Sequence, residues 1–339
     1  MMSLSVSIPL FCIAAVAIAG VGTRLTKVAD RLADKTGWGE AIVGAVILGG
    51  STSLPGIITS VSTAYQGYAE LAVSNAVGGI AAQTAFLAVA DIVYRRANLE
   101  HAAASVANLL QGTLLVTLLA VPMVAYAGPD ISWLGVHPAT VLLIAGYCFG
   151  LCLVSQARVE KMWKPKQTER TVTDVPEELP NDASLNTLIF KFAILAVLVA
   201  VAGYGVAQSG VAISTQTGLS ESLVGTLLTA VATSIPELVT TIAAVRCGAL
   251  SLAVGGIIGG NCFDLLFIAF SDIAYRAGSI YSAITGRQLF IMGLTILMTG
   301  VLIIGLLKRE KYGFAKIGFE SVLILLFYVV GVSSLFVMN

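Results

Sequence analysis

The sequence predicts an all-α, polytopic membrane protein whose ten transmembrane helices form two inverted repeats of five. Three observations carry that expectation. The chain has 339 residues, 57% hydrophobic and only 11% charged, with a mean hydropathy of +0.91. Its apolar runs are long enough to cross a hydrocarbon core, which takes about 20 residues per helix. Its two halves also match at an offset of 181 residues, polar and proline positions included. The same composition excludes other classes. Nineteen Lys and Arg balance 19 Asp and Glu, so there is no basic excess to neutralise nucleic-acid phosphates. Five cysteines spread along the chain make no disulfide framework, and the hydropathy is the opposite of a disordered segment's.

In order, the apolar runs fall at about 7–23, 38–65, 70–94, 103–127, 137–156, 185–208, 219–245, 251–275, 287–307 and 317–337. Residues 1–156 thus hold five spans and 185–339 another five. Between them, 157–184 is the long polar stretch, with Pro165, Pro176, Pro180 and mixed charges, and reads as a solvated linker. The first run is expected to be a retained helix rather than a signal peptide, because its basic residues (Arg24, Lys27, Arg31 and Lys35) follow the apolar stretch. Sixteen Lys and Arg lie in loops 1–2, 3–4, 5–6, 7–8 and 9–10, against Arg276 and Arg287 on the opposite side. That bias puts the basic loops and the linker in the cytoplasm and both termini outside.

The internal match aligns 36–99 with 217–280 without gaps. Identical pairs include Glu40 and Glu221, Thr52 and Thr233, Ser53 and Ser234, Pro55 and Pro236, Gly67 and Gly248, Gly78 and Gly259, and Asp91 and Asp272. With an odd number of spans per half, the second copy enters the membrane inverted. Inverted repeats that enclose a midplane site are a transporter architecture.

Each repeat carries Thr-Ser-x-Pro in mid-span, at 52–55 and 233–236. Proline removes a backbone donor and frees a carbonyl one turn earlier, and neighbouring hydroxyls add oxygens that suit hard cations. Glu237 follows the second proline and Asp264 lies in the next span. A carboxylate at bilayer depth costs at least about 2.5–3.5 kcal/mol and marks a functional site by default. Glu40, Glu221, Asp91 and Asp272 read instead as helix-end carboxylates reaching water, the two aspartates with Arg95 and Arg276 four residues on. Asn75, Gln83 and Asn261 offer amide oxygens, with structural hydrogen bonding between helices nearly as good a reading. The glycine-rich stretches 74–79 and 255–260 permit close helix approach. Cys148 and Cys152 read as small apolar filler, and His101 and His137 as loop residues with no catalytic role.

These motifs, TSLPG with a following Asn, Gly-Gly and Gln, and TSIPE with a following Gly-Gly-Asn and Asp, resemble the two α-repeats of the sodium/calcium exchanger (cation/Ca²⁺ antiporter) superfamily. The resemblance implies that spans two, three, seven and eight surround a cation site. Its metal-ligand positions fall on Thr52, Ser53, Gln83, Thr233, Ser234, Glu237 and Asp264. This chain departs from the family pattern at several of its positions: Gly56 stands where the first repeat has Glu, Gly79 and Gly260 where it has Ser, Ile80 and Gly256 where it has Asn.

The expected function is secondary-active cation antiport by alternating access, Na⁺ against Ca²⁺, with inorganic cations and the lipid bilayer as partners. No cofactor, enzymatic reaction, nucleic acid or obligate protein partner is implied. Two other readings stand beside it: a monovalent or proton-coupled exchanger with a reduced divalent site, and a non-transporting structural or sensing relative.

Overall fold

The computed structural model describes residues 2–36, 49–94, 97–159, 184–311, 313 and 317–338. Sixteen α-helices are assigned among them: α1 Leu4–Ala17, α2 Thr23–Thr36, α3 Leu54–Tyr65, α4 Ala69–Tyr94, α5 Leu99–Ala103, α6 Val106–Ala127, α7 Pro138–Val159 and α8 Leu185–Thr217, then α9 Glu221–Leu223, α10 Ala230–Thr233, α11 Ile235–Cys247, α12 Leu250–Asp264, α13 Leu266–Ala274, α14 Ile280–Ala283, α15 Gly286–Lys308 and α16 Phe319–Val337. Short π-helical turns at Ile18–Gly22 and Val224–Thr229 join α1 to α2 and α9 to α10.

Among the described residues, eight helical spans are long and apolar enough to cross a membrane, and a ninth results if Glu221–Thr233 and Ile235–Cys247, bent by 47° at Ser234, count as one. The expected second span, 38–65, lies partly outside the described residues, and so do Glu40, Arg95 and most of the linker. Two spans outrun their expected bounds. The first continues through its π-turn to Leu32, because nothing helix-breaking separates the apolar run from the basic one. The sixth runs to Thr217 rather than 208, about 50 Å at 1.5 Å per residue. It stops where Gly218 takes a left-handed conformation at φ +74°.

The arrangement is concentric. The Ala69–Tyr94 span and the Leu250–Ala274 span are each buried over 78% of their most apolar window, whereas Leu4–Leu32 and Leu185–Thr217 are buried over only 17%. The outer helices therefore present Ile13, Val16, Phe190, Val197 and Val201 outward, as lipid-facing surface requires. Helix α8 packs on α1 and α3, and α4 packs on α3, α15, α16 and the Val224–Thr229 turn. That last contact depends on glycine. A Cβ on Gly78 would sit 2.5 Å from the Thr226 Cα, and one on Gly225 would sit 2.9 Å from the Leu71 carbonyl. The glycine-rich stretch of α4 is thus a packing face at Gly78.

Asp91 and Asp272 correct an expectation. Both are fully buried, not reaching water, and among the described residues Asp272 has no ion pair with the exposed Arg276. Each caps chain ends instead. Asp91 accepts from the Leu99 amide (2.8 Å), the Gly318 amide and the Ser321 hydroxyl (both 3.0 Å). Asp272 accepts from the Ile280 amide, the His137 amide (both 2.8 Å) and the Thr140 hydroxyl (2.6 Å). Every partner in one set lies 181 residues from its counterpart in the other. The two halves repeat tertiary contacts as well as sequence. A buried amide left without an acceptor costs about 1–3 kcal/mol, so one carboxylate serving three donors outcompetes a solvated pair. The histidines differ from expectation too: His101 lies in α5, and both it and His137 are buried.

Candidate cation-binding site

Both Thr-Ser-x-Pro segments break their helices in the same way. The Ser53 amide still reaches the Gly49 carbonyl (2.9 Å), and the ladder resumes from the Ser53 carbonyl to the Ile57 amide (2.9 Å). In the second half the Ser234 amide reaches the Ala230 carbonyl (3.1 Å), and the Ser234 carbonyl accepts from the Leu238 amide (3.3 Å). Each proline falls in the first turn of the helix that follows, α3 or α11. There a missing N–H leaves no ladder bond unmade. Expected inside a helix, each freeing a carbonyl one turn earlier, the prolines are helix starters. Glu237 consequently sits in the first turn of α11, where the positive end of the helix dipole favours a carboxylate.

A cavity of about 10 Å³ lies between the two breaks, room for one water-sized occupant. Ser53, Thr233, Ser234 and Glu237 line it from the breaks, Asn75, Gly79 and Gln83 from α4, Asp264 from the end of α12, and Gly56 and Phe267 from α3 and α13. The Ser53 hydroxyl donates to Asp264 Oδ1 (2.5 Å). The Gln83 amide donates to Asp264 Oδ2 (2.6 Å) and to Ser234 Oγ (3.2 Å). The Thr52 hydroxyl lies within hydrogen-bonding reach of both the Gly49 carbonyl (3.0 Å) and the Glu237 carboxyl. The Thr233 hydroxyl lines the cavity while bonding back to its own helix at Thr229 and Ala230.

All seven expected positions therefore converge on one place, six at the cavity wall and Thr52 behind Glu237. Of the amides beyond Gln83, Asn75 joins them and Asn261 does not, because Asn261 donates to the Thr84 hydroxyl at 3.1 Å. Asn75 spends its two N–H groups on the Ser60 hydroxyl (2.9 Å) and the Gly56 carbonyl (3.3 Å). This leaves Asn75 Oδ1 without a donor, as are Gln83 Oε1 and Glu237 Oε2. Among the described residues no basic side chain pairs with Glu237 or Asp264. Two buried carboxyl groups and unserved oxygens around a one-particle cavity make an oxygen-only ligand set, the kind that hard cations take.

Phe267 is the residue that sequence reasoning missed. A Cβ on Gly56 would lie 2.6 Å from its Cε2 atom. The ring fills the space that a side chain at 56 would need. The signal was present in the internal match, which pairs Phe86 with Phe267, but a phenylalanine in a membrane helix reads as ordinary packing.

A family model described as sodium/calcium exchanger protein matches residues 6–165 and 187–337. The chain belongs to that family. The match falls in two segments that meet at the polar linker. Among relatives of this exchanger-family chain, the inner membrane protein YrbG of Escherichia coli (strain K12) is 27% identical over 289 residues, 82% of this chain and 83% of that protein. The putative antiporter CaxA of Alkalimonas amylolytica is 27% identical over 270 residues, 79% and 81% of the two chains. The crystal structure of H⁺/Ca²⁺ exchanger CAX shares the fold with a TM-score of 0.71 at 15% identity, covering 97% of this chain and 82% of that one. The family's transporters carry inorganic cations within the membrane, and this exchanger-family chain is an integral, multi-pass membrane protein.

Proposed function

We propose that this protein is a secondary-active antiporter that exchanges Na⁺ for Ca²⁺ by alternating access, binding either ion in the cavity between the two helix breaks. Thr52, Ser53, Gln83, Thr233, Ser234, Glu237 and Asp264 form the site, and Asn75 Oδ1 joins them. The observation that carries this reading is the set of three oxygens, Asn75 Oδ1, Gln83 Oε1 and Glu237 Oε2, that have no donor among the described residues, beside two carboxyl groups with no basic partner among them. Charge buried in this way is destabilising unless a counter-ion completes it. Two negative charges balance one divalent cation or two monovalent ones. No organic cofactor takes part; the transported cations are the only small ligands.

The architecture in this reading is two inverted repeats, 1–156 and 185–339, joined by a cytoplasmic linker at 157–184, with ten spans and both termini outside. Support comes from the 181-residue correspondence of the Asp91 and Asp272 hydrogen-bond sets and from the Lys/Arg bias of the loops. Placement in a bacterial-type inner membrane is carried over from the relative of that name.

Proton-coupled exchange remains a second reading on one specific ground. Gly56 with the Phe267 ring against it gives the first half of the site no carboxylate, and fewer ligand charges weaken divalent binding. Purified protein in sealed vesicles separates the two. Calcium uptake driven by an outward Na⁺ gradient, and unaffected by collapsing a pH gradient while the pH of the cytoplasmic face is held constant, is the expected result. Uptake that follows the pH gradient and ignores Na⁺ selects proton coupling, and no flux under either gradient rejects antiport.

A further inference from the structure

A second buried acidic group lies away from the cavity, where α4, α5, the end of α15 and the start of α16 meet. Glu100 is fully buried and Glu320 is 1% exposed. Their carboxyl groups face each other within hydrogen-bonding reach, yet among the described residues the donor that reaches either is its own backbone amide, and no other residue serves their four oxygens. Backbone has been cleared for Glu320. A Cβ on Gly305 would lie 2.7 Å from its Cγ, and Gly318 packs directly on its carboxyl.

Among the described residues, the charged groups Asp91, Glu310 and Arg309 around the pair are already engaged. Asp91 on α4 is served by three donors. Glu310 at the end of α15 pairs with Lys308 at 3.5 Å. Arg309 donates to the His101 carbonyl (3.2 Å), and His101 Nδ1 meets the Arg309 carbonyl (2.6 Å). Neither glutamate has a basic partner among these.

The opposite end of the molecule shows that the fold does not need this pair. Displaced by 181 residues, Glu100 corresponds to Tyr281 and Glu320 to Ala139. There the Tyr281 hydroxyl bonds to Thr140 at 3.0 Å, Thr140 bonds to Asp272, and the junction closes without a second acid. The same frame therefore carries a single, fully served acid at one end, and at the other a served acid with an additional acidic pair beside it. Two facing carboxyl groups with no other donor are completed by one proton held between them.

We propose that Glu100 and Glu320 form a proton-binding site, separate from the cation cavity, that makes exchange depend on the pH of the cytoplasm. The side assignment rests on the topology given under Proposed function. Burial and the neighbouring Asp91 and Glu320 charges push the Glu100 carboxyl above the usual glutamate range. A raised value in the packed state means that the proton stabilises packing. That stabilisation is full at low pH and is lost as pH climbs from the ordinary glutamate range through the raised one. Deprotonation then sets three carboxylates against one another and loosens α5 from α16. Because α16 and α5 both pack on α4, which carries Gln83 two turns before Asp91, the junction has a direct mechanical route to the cavity.

The test is cation flux by the full chain in vesicles, with pH set independently on the two faces. Flux should fall as the cytoplasmic face is acidified. Glu100→Gln and Glu320→Gln should each lose that response while flux persists. Should either fail to fold, Glu100→Tyr with Glu320→Ala copies the opposite end and should fold, transport and ignore cytoplasmic pH. An infrared carbonyl band of a protonated carboxylic acid should titrate in the wild type, persist in Glu237→Gln and vanish when Glu100→Gln and Glu320→Gln are combined. This band reads the pair even if no flux is found, so failure of the antiport reading and failure of the pair remain distinguishable. An unchanged pH profile in the folded variants, or a band that survives the double substitution unchanged, overturns the proposal. A response confined to the external face overturns its cytoplasmic placement.

Discussion

The two Thr-Ser-x-Pro breaks share one backbone device and differ in what they deliver. At 52–55 a glycine follows the proline, and the Phe267 ring lies against it; at 233–236 Glu237 follows it, and among the described residues its Oε2 has no donor. The main-chain hydrogen bonds that close and restart the helix correspond at the two breaks, the Ser234 amide adding a second bond to the Val231 carbonyl (3.2 Å). The breaks therefore create the opening, and the residue after each proline sets its charge. Half of this site is acidic and half is aromatic. The difference teaches that repeated main-chain breaks do not compel a symmetric cavity lining.

Breaking the acidic half should have the largest effect. Glu237→Gln keeps size and one carbonyl oxygen, so folding should survive while coupled flux falls by at least about a hundredfold, for a loss of about 3 kcal/mol of binding at a desolvated ion pair. Vesicle flux and a thermal melt of the same preparation check both statements. Asp264→Asn should be milder, because Ser53 and Gln83 already donate to that carboxyl and one amide oxygen can still accept. An affinity loss of about tenfold is the expected outcome, read from the calcium dependence of flux.

The aromatic half gives a sharper test of the comparison. Gly56→Glu alone should not restore a second acidic ligand, because its Cβ would meet Phe267 at 2.6 Å. Overpacking should destabilise the protein by about 1–3 kcal/mol, seen as a lower melting temperature. Gly56→Glu together with Phe267→Ala should relieve the clash and raise divalent affinity over Phe267→Ala alone. Equal calcium binding in those two variants would mean that the space beside Gly56 is not part of the site. The smallest effect concerns the frame. Asp272→Asn should cost about 1–3 kcal/mol through the donors it leaves unserved, with the calcium dependence of flux unchanged.

The site was legible in the sequence because its chemistry is expensive. Carboxylates and hydroxyls inside apolar spans stand out; the Thr-Ser-x-Pro hydroxyls recur at a fixed offset, whereas Glu237 and Asp264 answer to Gly56 and Gln83 and were joined to them through the resemblance to the exchanger repeats. All seven positions singled out there meet at the cavity. What stayed hidden is what depends on packing between distant segments. Phe267 acts by occupying volume beside Gly56, and nothing in its local sequence marks it. Asp91 and Asp272 looked like solvated helix ends because an arginine follows each at four residues. Only the fold brings Gly318 and Ser321, or His137 and Thr140, to within reach of them. Span limits were legible where a charge or glycine cluster closes the run. They were not where an apolar helix simply continues, as α8 does to Thr217.

The central claim is that one half of the molecule supplies the charge that holds the ion. Equilibrium binding of radioactive calcium to the purified full chain tests it most directly, with wild type, Glu237→Gln and Asp264→Asn measured side by side. The account predicts about one ion bound per wild-type chain, displaced by excess Na⁺, a weaker site in Asp264→Asn and none in folded Glu237→Gln. Undiminished calcium binding in Glu237→Gln would contradict it.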